Sequence, residues 1–594
     1  MNVLWILVIS SVLLFLGYRI YSRYISRILG EDPKRVTPSV QYNDGQDYVP
    51  TNNGVVFAHH FASIAGAGPI LGPTLAIMYG VAPVWAWIII GGIFFGAVHD
   101  YTSLFVSIRE KGRSIAEIAR KSLGDSGFAL MIAFTILMVV LVTSSFLVAS
   151  ATSLTSLVPL EQLRLPSNQK ILHTVAKGGV INGQIGGIAS TSVIFITLFA
   201  PLIGFLCYKK NISMKIIYPL AIAICFLSIL TGLKIPVSLD VKVWMIVLGI
   251  YTLFASGIPV WLILQPRDFI NVFILYGGIL FLIVGSIGAG LSGVQVTAPV
   301  MNIADGTVKL GLIWPFLFIT VACGAISGFH ALVAGGTVSK QVKNEKSARS
   351  IGFGGMLLES LLAVGVIIAI SSGIPFSDYT NIVFPAQGNS NPILAFSLAF
   401  SGLLYKGLHI PMVYGTVFGI LLVEGFVATT LDTAVRINRY LFEELWSIIF
   451  KNPPKWIKSY LFNSLLSVVL MLIFAFTNAF TVIWPVFGTA NQLLAALTLV
   501  TLAVWLATNR KKNGFILIPA FFMIVTTLFS LGFLLKKYFI DSNWLLLTVD
   551  ILMIALTVAL IVVAVKSRKK ITPSKNDKND ETKPQIPEYQ KAGA

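Results

Sequence analysis

Charged residues are scarce in this sequence. Asp, Glu, Lys and Arg make up 11% of the 594 residues, whereas 56% are hydrophobic. This balance excludes a soluble globular domain, in which about 25% of the residues are charged. Apolar runs recur from end to end, and each is long enough to cross a hydrocarbon core of about 30 Å. The chain is therefore an integral membrane protein.

Cysteine is nearly absent as well, and no known cofactor motif occurs. Cys207, Cys225 and Cys323 lie in or near apolar runs without metal or redox spacing, so we predict neither a disulfide framework nor a metal site. No Walker A loop is present, which argues against ATP-driven transport. The net charge of +18 is spread over the loops between apolar runs. The expected partner of these loops is the lipid bilayer rather than nucleic acid.

The apolar runs predict about fifteen transmembrane helices. Their predicted starts lie near residues 3, 55, 83, 128, 188, 216, 243, 270, 313, 350, 411, 460, 481, 515 and 544. With the amino terminus outside, 34 of the 43 Lys and Arg residues fall on the inner side. The positive-inside rule therefore predicts an external amino terminus and a cytoplasmic carboxyl terminus. Residues 391–405 are too short for a full span and are expected to form a re-entrant or surface helix, and residues 566–594 are predicted to be a disordered tail.

The second span contains a concentration of helix breakers. Within "HHFASIAGAGPILGP", residues 59–73, the segment Ala65, Gly66, Ala67, Gly68 and Pro69 frees the backbone near mid-membrane. Such backbone is tolerated only where protein or a water-filled cavity satisfies it. Two interpretations stay open for this stretch alone, a packing kink or a binding site.

A similar stretch in the seventh span favours the binding site. "ASGIPVW", residues 255–261, brings Ser256 and Gly257 together with a proline. Two five-helix units, each opening with a broken helix and inverted relative to one another, are typical of secondary transporters. The plan resembles the LeuT-type fold. That resemblance implies an all-α core with one preceding and about four following helices, divided at residues 1–54, 55–235, 236–445 and 446–565.

The same resemblance implies that the third and eighth core helices complete the site. The third contributes Ser144 and Ser145, and the eighth contributes Ser327, Gly328 and His330. Small polar residues also let membrane helices pack closely, so a packing role is the alternative for each serine.

Several longer strings carry a family resemblance. "HHFASIAGAGPILGP", "GAVHD", "SGFHALVAGGTVSKQV", "LLESLLA", "TTLDTAVRINRY" and "WPVFGTANQLLAALTL" occur in one order between about residues 15 and 505. They resemble the carbon starvation protein A family. The resemblance implies a bacterial inner-membrane system that takes up peptides or pyruvate, with protons as the coupling ion.

Ionisable side chains inside the spans are candidates for ion coupling or gating, because burying a charge in a membrane is costly. Glu359 and Glu424 are each expected either to carry a coupling proton or to pair with a neighbouring helix. Asp432 and Arg436, four residues apart, predict a structural or gating pair. The remaining candidates are His59 and His60 at the inner start of the first core helix, Asp100 at the inner end of the second core helix, which is expected to close there, and His330 in the eighth core helix.

These features favour a secondary active importer of a small carboxylate or of short peptides, working by alternating access. Sodium is the alternative to the proton as coupling ion. A nutrient-sensing transceptor is the second hypothesis, although the chain offers only a short basic tail for signalling. An enzyme is the third, and no nucleophile or metal spacing supports it.

Overall fold

A computed structural model describes residues 1–44, 48–210, 212–258 and 262–571. In this part of the chain, twelve helices are long and apolar enough to cross a membrane. They are Val3–Leu29, Val81–Arg109, Ile115–Ser153, Ile185–Cys207, Lys215–Lys234, Leu264–Leu291, Arg349–Gly373, Met412–Ile449, Tyr460–Thr477, Phe480–Thr508, Gly514–Ile540 and Trp544–Ser567. In a bilayer only the intrahelical pairing of backbone groups permits such spans, which explains why the apolar runs fold as helices.

Two further helix pairs are bent at short breaks. Asn53–Ile64 and Gly68–Tyr79 meet at 46°, and Ile303–Leu310 and Ile313–Thr320 meet at 73°. Counting each pair as one span gives up to fourteen spans among the described residues, so the number of about fifteen stays a prediction. Shorter helices are Pro38–Gln41, Val241–Gly257, Ala322–Ala325, Phe329–Gly336, Phe376–Val383 and Pro392–Leu408.

The helical membrane class is confirmed, with one small exception. Three short strands, Val158–Pro159, Thr174–Lys177 and Val180–Gly183, form an antiparallel sheet in which the third strand lies in the middle. This sheet follows the long helix Ile115–Ser153, and the sequence analysis did not predict it. The last helix continues to Ile571. Residues 566–571 of the predicted disordered tail are therefore helical, and residues 572–594 lie outside the described part of the chain.

The predicted break at residues 65–69 is present. The first half-helix ends at Ile64, Ala65 leaves the helical region at φ −73° and ψ 61°, and the second half-helix begins at Gly68 with Pro69 in its first turn. Proline is well placed there, because the first turn has no intrahelical acceptor for its missing N–H. We call Asn53–Tyr79 the first broken helix.

A second interruption lies opposite the first, in residues 313–336. Three short helices, Ile313–Thr320, Ala322–Ala325 and Phe329–Gly336, are separated at Val321 and at residues 326–328. Ile326 is fully extended, with φ −165° and ψ 139°. We call residues 313–336 the segmented helix.

This arrangement corrects the predicted partner of the first break. The helix Val241–Gly257 ends at the "ASGIPVW" stretch, and a separate helix begins at Leu264. Ser256 and Gly257 therefore lie at a helix end, whereas Ser327 and Gly328 lie in an interruption of the segmented helix, which the first broken helix crosses at Cys323. Residues 259–261 are outside the described part of the chain. The repeat boundaries at 55–235 and 236–445 stay a prediction, and the segmented helix lies inside the second of these ranges.

Each interrupted helix is followed by a continuous helix that packs against the other one. Val81–Arg109 follows the first broken helix and lies so close to the segmented helix that a Cβ on Gly96 would overlap the Ala325 carbonyl oxygen. Arg349–Gly373 follows the segmented helix, and a Cβ on Gly355 would lie 3.1 Å from the His60 ring. The two interrupted helices are thus enclosed symmetrically.

Two helices run further than predicted. Val81–Arg109 continues nine residues past Asp100, which is fully buried; the prediction that this span closes at Asp100 is wrong. Ile115–Ser153 begins before residue 128 and is kinked at Gly124, whose φ of 81° and ψ of −176° are not helical; glycine adopts this conformation without strain. That kink separates a polar first segment from the apolar part on which the prediction depended.

The short segment 391–405 forms a buried helix, Pro392–Leu408. It docks through glycines, since a Cβ on Gly373 would overlap the Ala399 carbonyl oxygen, and one on Gly402 would overlap the Gly373 carbonyl oxygen. Close backbone approach of this kind is typical of helix packing in membranes.

Candidate functional site

The two interrupted helices cross at their breaks, with almost no space between them. An ideal Cβ on Gly68 would overlap the Cys323 sulfur, and one on Gly72 would lie 2.6 Å from the Thr320 carbonyl oxygen. On the other side of the break, a Cβ on Gly66 would lie 3.0 Å from the Thr430 hydroxyl. Glycine is required at these positions because any side chain would separate the helices.

Four ionisable side chains form a buried chain of contacts beside this crossing. His99 Nδ1 and His330 Nδ1 contact the two oxygens of Asp100 at 2.8 Å and 2.7 Å. His330 Nε2 lies 3.3 Å from Glu359 Oε2. All four side chains are at most 1% exposed. We call His99, Asp100, His330 and Glu359 the crossing cluster.

The crossing cluster brings together residues from three helices around the first broken helix. Asp100 comes from Val81–Arg109, His330 from the segmented helix and Glu359 from Arg349–Gly373. His60, on the first broken helix, is fully buried nearby, and neither of its ring nitrogens has a hydrogen-bond partner among the described residues. His59 points elsewhere and lines a cavity. The predicted candidates Asp100, His330, Glu359 and His60 therefore occupy one region.

Within the crossing cluster, one position suits an exchangeable proton. An ionised Asp100 is only an acceptor, so His330 donates through Nδ1 and leaves Nε2 facing Glu359. A single proton between Nε2 and Glu359 then lies on either the imidazole or the carboxylic acid. Neither His330 Nε2 nor either oxygen of Glu359 makes a hydrogen bond among the described residues, so the 3.3 Å approach is a contact between two otherwise unpartnered groups. Histidine is suited to this exchange because its proton affinity lies near neutral pH.

Asn491 caps the interruption of the segmented helix. Its side-chain oxygen accepts from the Phe329 N–H at 3.1 Å and from the Ser327 hydroxyl at 3.2 Å, and its side-chain nitrogen lies 3.4 Å from the Cys323 sulfur. Its main-chain oxygen accepts from the Gly328 N–H at 3.1 Å. Gln492 donates to the Phe318 carbonyl oxygen at 2.6 Å. The helix Phe480–Thr508 was expected outside the core, and the structure places it against the break.

The predicted serines of the third core helix make packing contacts. The Ser144 hydroxyl bonds to the Val140 and Met471 carbonyl oxygens at 2.7 Å and 3.0 Å. Ser145 is buried, and its hydroxyl has no hydrogen-bond partner among the described residues. One turn further along, Ser150 donates to Glu424 Oε2 at 2.6 Å. Glu424 is thus a buried carboxylate held between two helices and separate from the crossing cluster.

A second group of buried charges lies where Leu264–Leu291 meets Met412–Ile449. Arg267 Nη2 lies 2.9 Å from Asp432 Oδ2 and 3.6 Å from Asp268 Oδ1. The Tyr251 hydroxyl donates to Asp432 at 2.9 Å and accepts from Arg267. Thr429 donates to Asp268 at 2.8 Å. We call Tyr251, Arg267, Asp268 and Asp432 the arginine cluster.

The arginine cluster corrects the predicted Asp432–Arg436 pair. Asp432 pairs with Arg267 instead, and Arg436 donates to the Ala255 and Ile258 carbonyl oxygens at 2.8 Å and 2.6 Å. The Ser256 hydroxyl bonds to the Ser464 hydroxyl at 3.0 Å, and a Cβ on Gly257 would meet the Tyr460 ring at 2.8 Å. Arg436 therefore caps the end of Val241–Gly257.

A cavity of about 610 Å³ separates the first half of the first broken helix from Leu264–Leu291. It extends from Gly54 and Gln265 to Ser63 and Thr429, one residue from the Thr430 that faces Gly66. Its wall includes Phe269, Phe273, Tyr276, Phe426 and the side chain of Asp268. We call this space the inner cavity. Its volume lies within the range of about 300–1,000 Å³ for small-molecule sites.

Sequence reasoning missed Arg267 and Asp268 because the eighth span was expected to begin near residue 270. Its helix begins at Leu264, so both charges belong to the span. The available signal was a charged Arg–Asp pair inside the apolar stretch "LILQPRDFINVFIL". Cys323 and Thr430, which contact the glycines of the break, carried no signal in a single sequence.

The chain is thus a multi-pass helical membrane protein in which four buried ionisable residues gather at the crossing of two interrupted helices. The family model for carbon starvation protein CstA matches residues 2–388 and 375–530. The chain belongs to this family.

Curated relatives of similar length have transporter names. The "Peptide transporter CstA" of Bacillus subtilis is 30% identical over 95% of this chain and 97% of its own length. The "Peptide transporter CstA" of Escherichia coli is 30% identical over 89% of this chain and 80% of its own length. The "Pyruvate/proton symporter BtsT" of Escherichia coli is 28% identical over 89% and 81%.

Two solved transporters show a distant similarity. A mutant form of the manganese transporter of Eremococcus coleocola is 10% identical with a TM-score of 0.48, over 89% of this chain and 98% of its own. MhsT in complex with L-phenylalanine is 15% identical with a TM-score of 0.42, over 87% and 98%. In the described residues, no group of three or more His, Cys, Asp and Glu side chains has a geometry that could hold a metal ion.

Proposed function

We propose that this protein is a proton-coupled secondary importer of short peptides or of a small carboxylate such as pyruvate. The observation that carries the proposal is the Asp100–His330–Glu359 chain, buried where two interrupted helices cross. Membership of the CstA family supports the transporter class, and the names of the relatives suggest the two substrates.

In this proposal the coupling proton is shared by His330 Nε2 and Glu359. Nε2 lies 3.3 Å from Glu359 Oε2, and a buried carboxylate without a hydrogen-bond donor is costly to leave ionised. The proton neutralises Glu359 when it binds, and its release restores a charge that favours rearrangement of the crossing. His60 lies beside this pair and is the next group on the first broken helix.

Alternating access would operate at the two breaks. Interrupted helices expose backbone groups in the middle of a membrane, and substrates bind to such half-helix ends in related architectures. The segments 65–69 and 327–328 are the proposed binding elements, and the inner cavity is the proposed path from Gly66 to one side of the membrane. The symmetrical packing of Val81–Arg109 and Arg349–Gly373 supports an inverted repeat.

We further propose a bacterial inner membrane, an external amino terminus and a cytoplasmic carboxyl terminus. The asymmetry of Lys and Arg between the loops supports this orientation. It places the open end of the inner cavity, near Gly54 and Gln265, on the cytoplasmic side.

The test is uptake of labelled dialanine and labelled pyruvate into proteoliposomes, with and without an inward proton gradient. We expect the gradient to drive accumulation. Glu359→Gln should abolish accumulation but retain exchange of labelled for unlabelled substrate at equal pH, because exchange needs no net proton movement. Repeating the assay with an inward sodium gradient in place of the proton gradient tests which of the two ions is the coupling ion.

Glu424→Gln is the matched control, since it neutralises another buried carboxylate outside the crossing cluster. If Glu424→Gln lost accumulation while Glu359→Gln accumulated substrate normally, Glu424 would be identified as the carrier of the coupling proton. Equal uptake with and without either gradient would contradict a coupled importer.

A further inference from the structure

The inner cavity has an unbalanced negative charge at its wall. Asp268 is the only Asp, Glu, Lys or Arg among the described residues that line it. The side chain of Asp268 is 37% exposed, whereas that of Arg267 is 2% exposed and that of Asp432 is buried. The carboxylate that a ligand can reach is therefore that of Asp268.

Arg267 does not neutralise both carboxylates of the arginine cluster. Its guanidinium lies 2.9 Å from Asp432 but 3.6 Å from Asp268, and it also contacts the Tyr251 hydroxyl. Two carboxylates thus share one cation, and the closer one is the buried Asp432. A hydrogen bond from Thr429, at 2.8 Å, orients the Asp268 carboxylate without adding charge.

We propose that Asp268 is a specificity-determining residue that pairs with a cationic group of the substrate, namely the amino-terminal ammonium of a short peptide. This inference rests on the proposed importer function and adds the group that selects among its substrates. An ammonium ion beside Asp268 completes the charge balance of the arginine cluster, and charge-assisted hydrogen bonds of this kind are the strong ones.

The rest of the wall agrees with a peptide rather than a simple carboxylate. Phe269, Phe273, Tyr276 and Phe426 provide apolar surface for side chains. Pyruvate has no cation to pair with Asp268 and little apolar surface to bury. A like-charged carboxylate close to Asp268 is disfavoured in a site of low dielectric constant.

The experiment measures equilibrium exchange in proteoliposomes at equal pH on both sides, so that proton coupling does not enter. The probes are dialanine, N-acetyl-dialanine and pyruvate, each competing with labelled dialanine. For the wild type we expect dialanine to compete at least about tenfold better than N-acetyl-dialanine. Asp268→Asn should remove most of this preference and raise the dialanine concentration needed for half-maximal competition by about tenfold or more. Asp268→Glu should keep part of the preference.

Asp541→Asn, at an exposed carboxylate, is the control and should keep the wild-type preference. The ratio between free and acetylated dialanine reports recognition, because a merely structural role of Asp268 would weaken both ligands alike. An unchanged ratio in Asp268→Asn, or equal competition by the two ligands in the wild type, would overturn the proposal. Absence of exchange of every probe by the wild type would contradict the importer function itself.

Discussion

The crossing cluster and the Arg267–Asp432 pair of the arginine cluster are both buried, yet they balance charge by different means. In the arginine cluster, Asp432 pairs with a guanidinium that stays charged at any ordinary pH. In the crossing cluster, Asp100 and Glu359 contact histidines and form no ion pair with Lys or Arg among the described residues, so their charge balance depends on how many protons are bound. A permanent cation therefore suits a contact between helices, whereas histidine suits a position where the charge has to change.

The largest effect should come from removing the permanent cation. Arg267→Ala leaves Asp432 buried without a charged partner, and breaking a buried pair costs about 3–5 kcal/mol. We expect a large fall in the thermal midpoint of the detergent-solubilised protein. Arg120→Ala breaks the exposed Arg120–Asp125 pair and should cost less than about 1 kcal/mol. Similar losses of stability in the two variants would contradict a buried Arg267–Asp432 pair that the fold depends on.

The next effect tests the scaffold of the crossing cluster. Gly68→Val inserts a side chain where even a Cβ would overlap the Cys323 sulfur, and overpacking of this kind costs about 1–3 kcal/mol. Exchange activity should be lost together with stability. Gly532→Val, on a helix where a Cβ meets nothing within 4 Å, should retain both. A stable and active Gly68→Val protein would contradict the close crossing.

A smaller effect is expected from Asn491→Ala, which removes the cap of the segmented helix. The Phe329 N–H and the Ser327 hydroxyl lose their acceptor, and loss of a cap costs about 1 kcal/mol. The thermal midpoint measures this loss. Asn389→Ala, at an exposed position outside the helices, is the control and should stay within about 0.5 kcal/mol of the wild type. Equal midpoints for the two variants would show that Asn491 is dispensable there.

The smallest change in stability is expected at Glu424, which lies outside both the crossing cluster and the arginine cluster. Glu424→Gln keeps an oxygen that accepts the Ser150 hydrogen bond, so its stability should change by less than about 1 kcal/mol. Thermal unfolding at neutral pH measures the change. A loss of several kcal/mol would mean that Glu424 is ionised and paired in the native protein.

The sequence was informative where a pattern is local. Breakers concentrated at residues 65–69 predicted the first interruption, and apolar runs predicted the membrane class. It was less informative about partners distant along the chain. "ASGIPVW" and "ISGFH" both combine serine and glycine, and only the approach of Gly68 to Cys323 and of Gly72 to the Thr320 carbonyl oxygen identifies the segmented helix as the partner. Four-residue spacing predicted Asp432–Arg436, but the shorter contact to Arg267 comes from a different helix, which periodicity within one helix does not reveal.

The glycine contacts of the helix Pro392–Leu408 have a consequence for interpreting genetic variation. Gly373 and Gly402 have no room for a methyl group, yet neither carries charge nor belongs to the crossing cluster, the arginine cluster or the inner cavity. In a saturation mutagenesis screen these positions should be as intolerant as Glu359. Measuring protein abundance and transport rate separately at each position would distinguish the two kinds of intolerance. Glycine variants should reduce the number of folded molecules, whereas Glu359 variants should reduce the transport rate of each molecule.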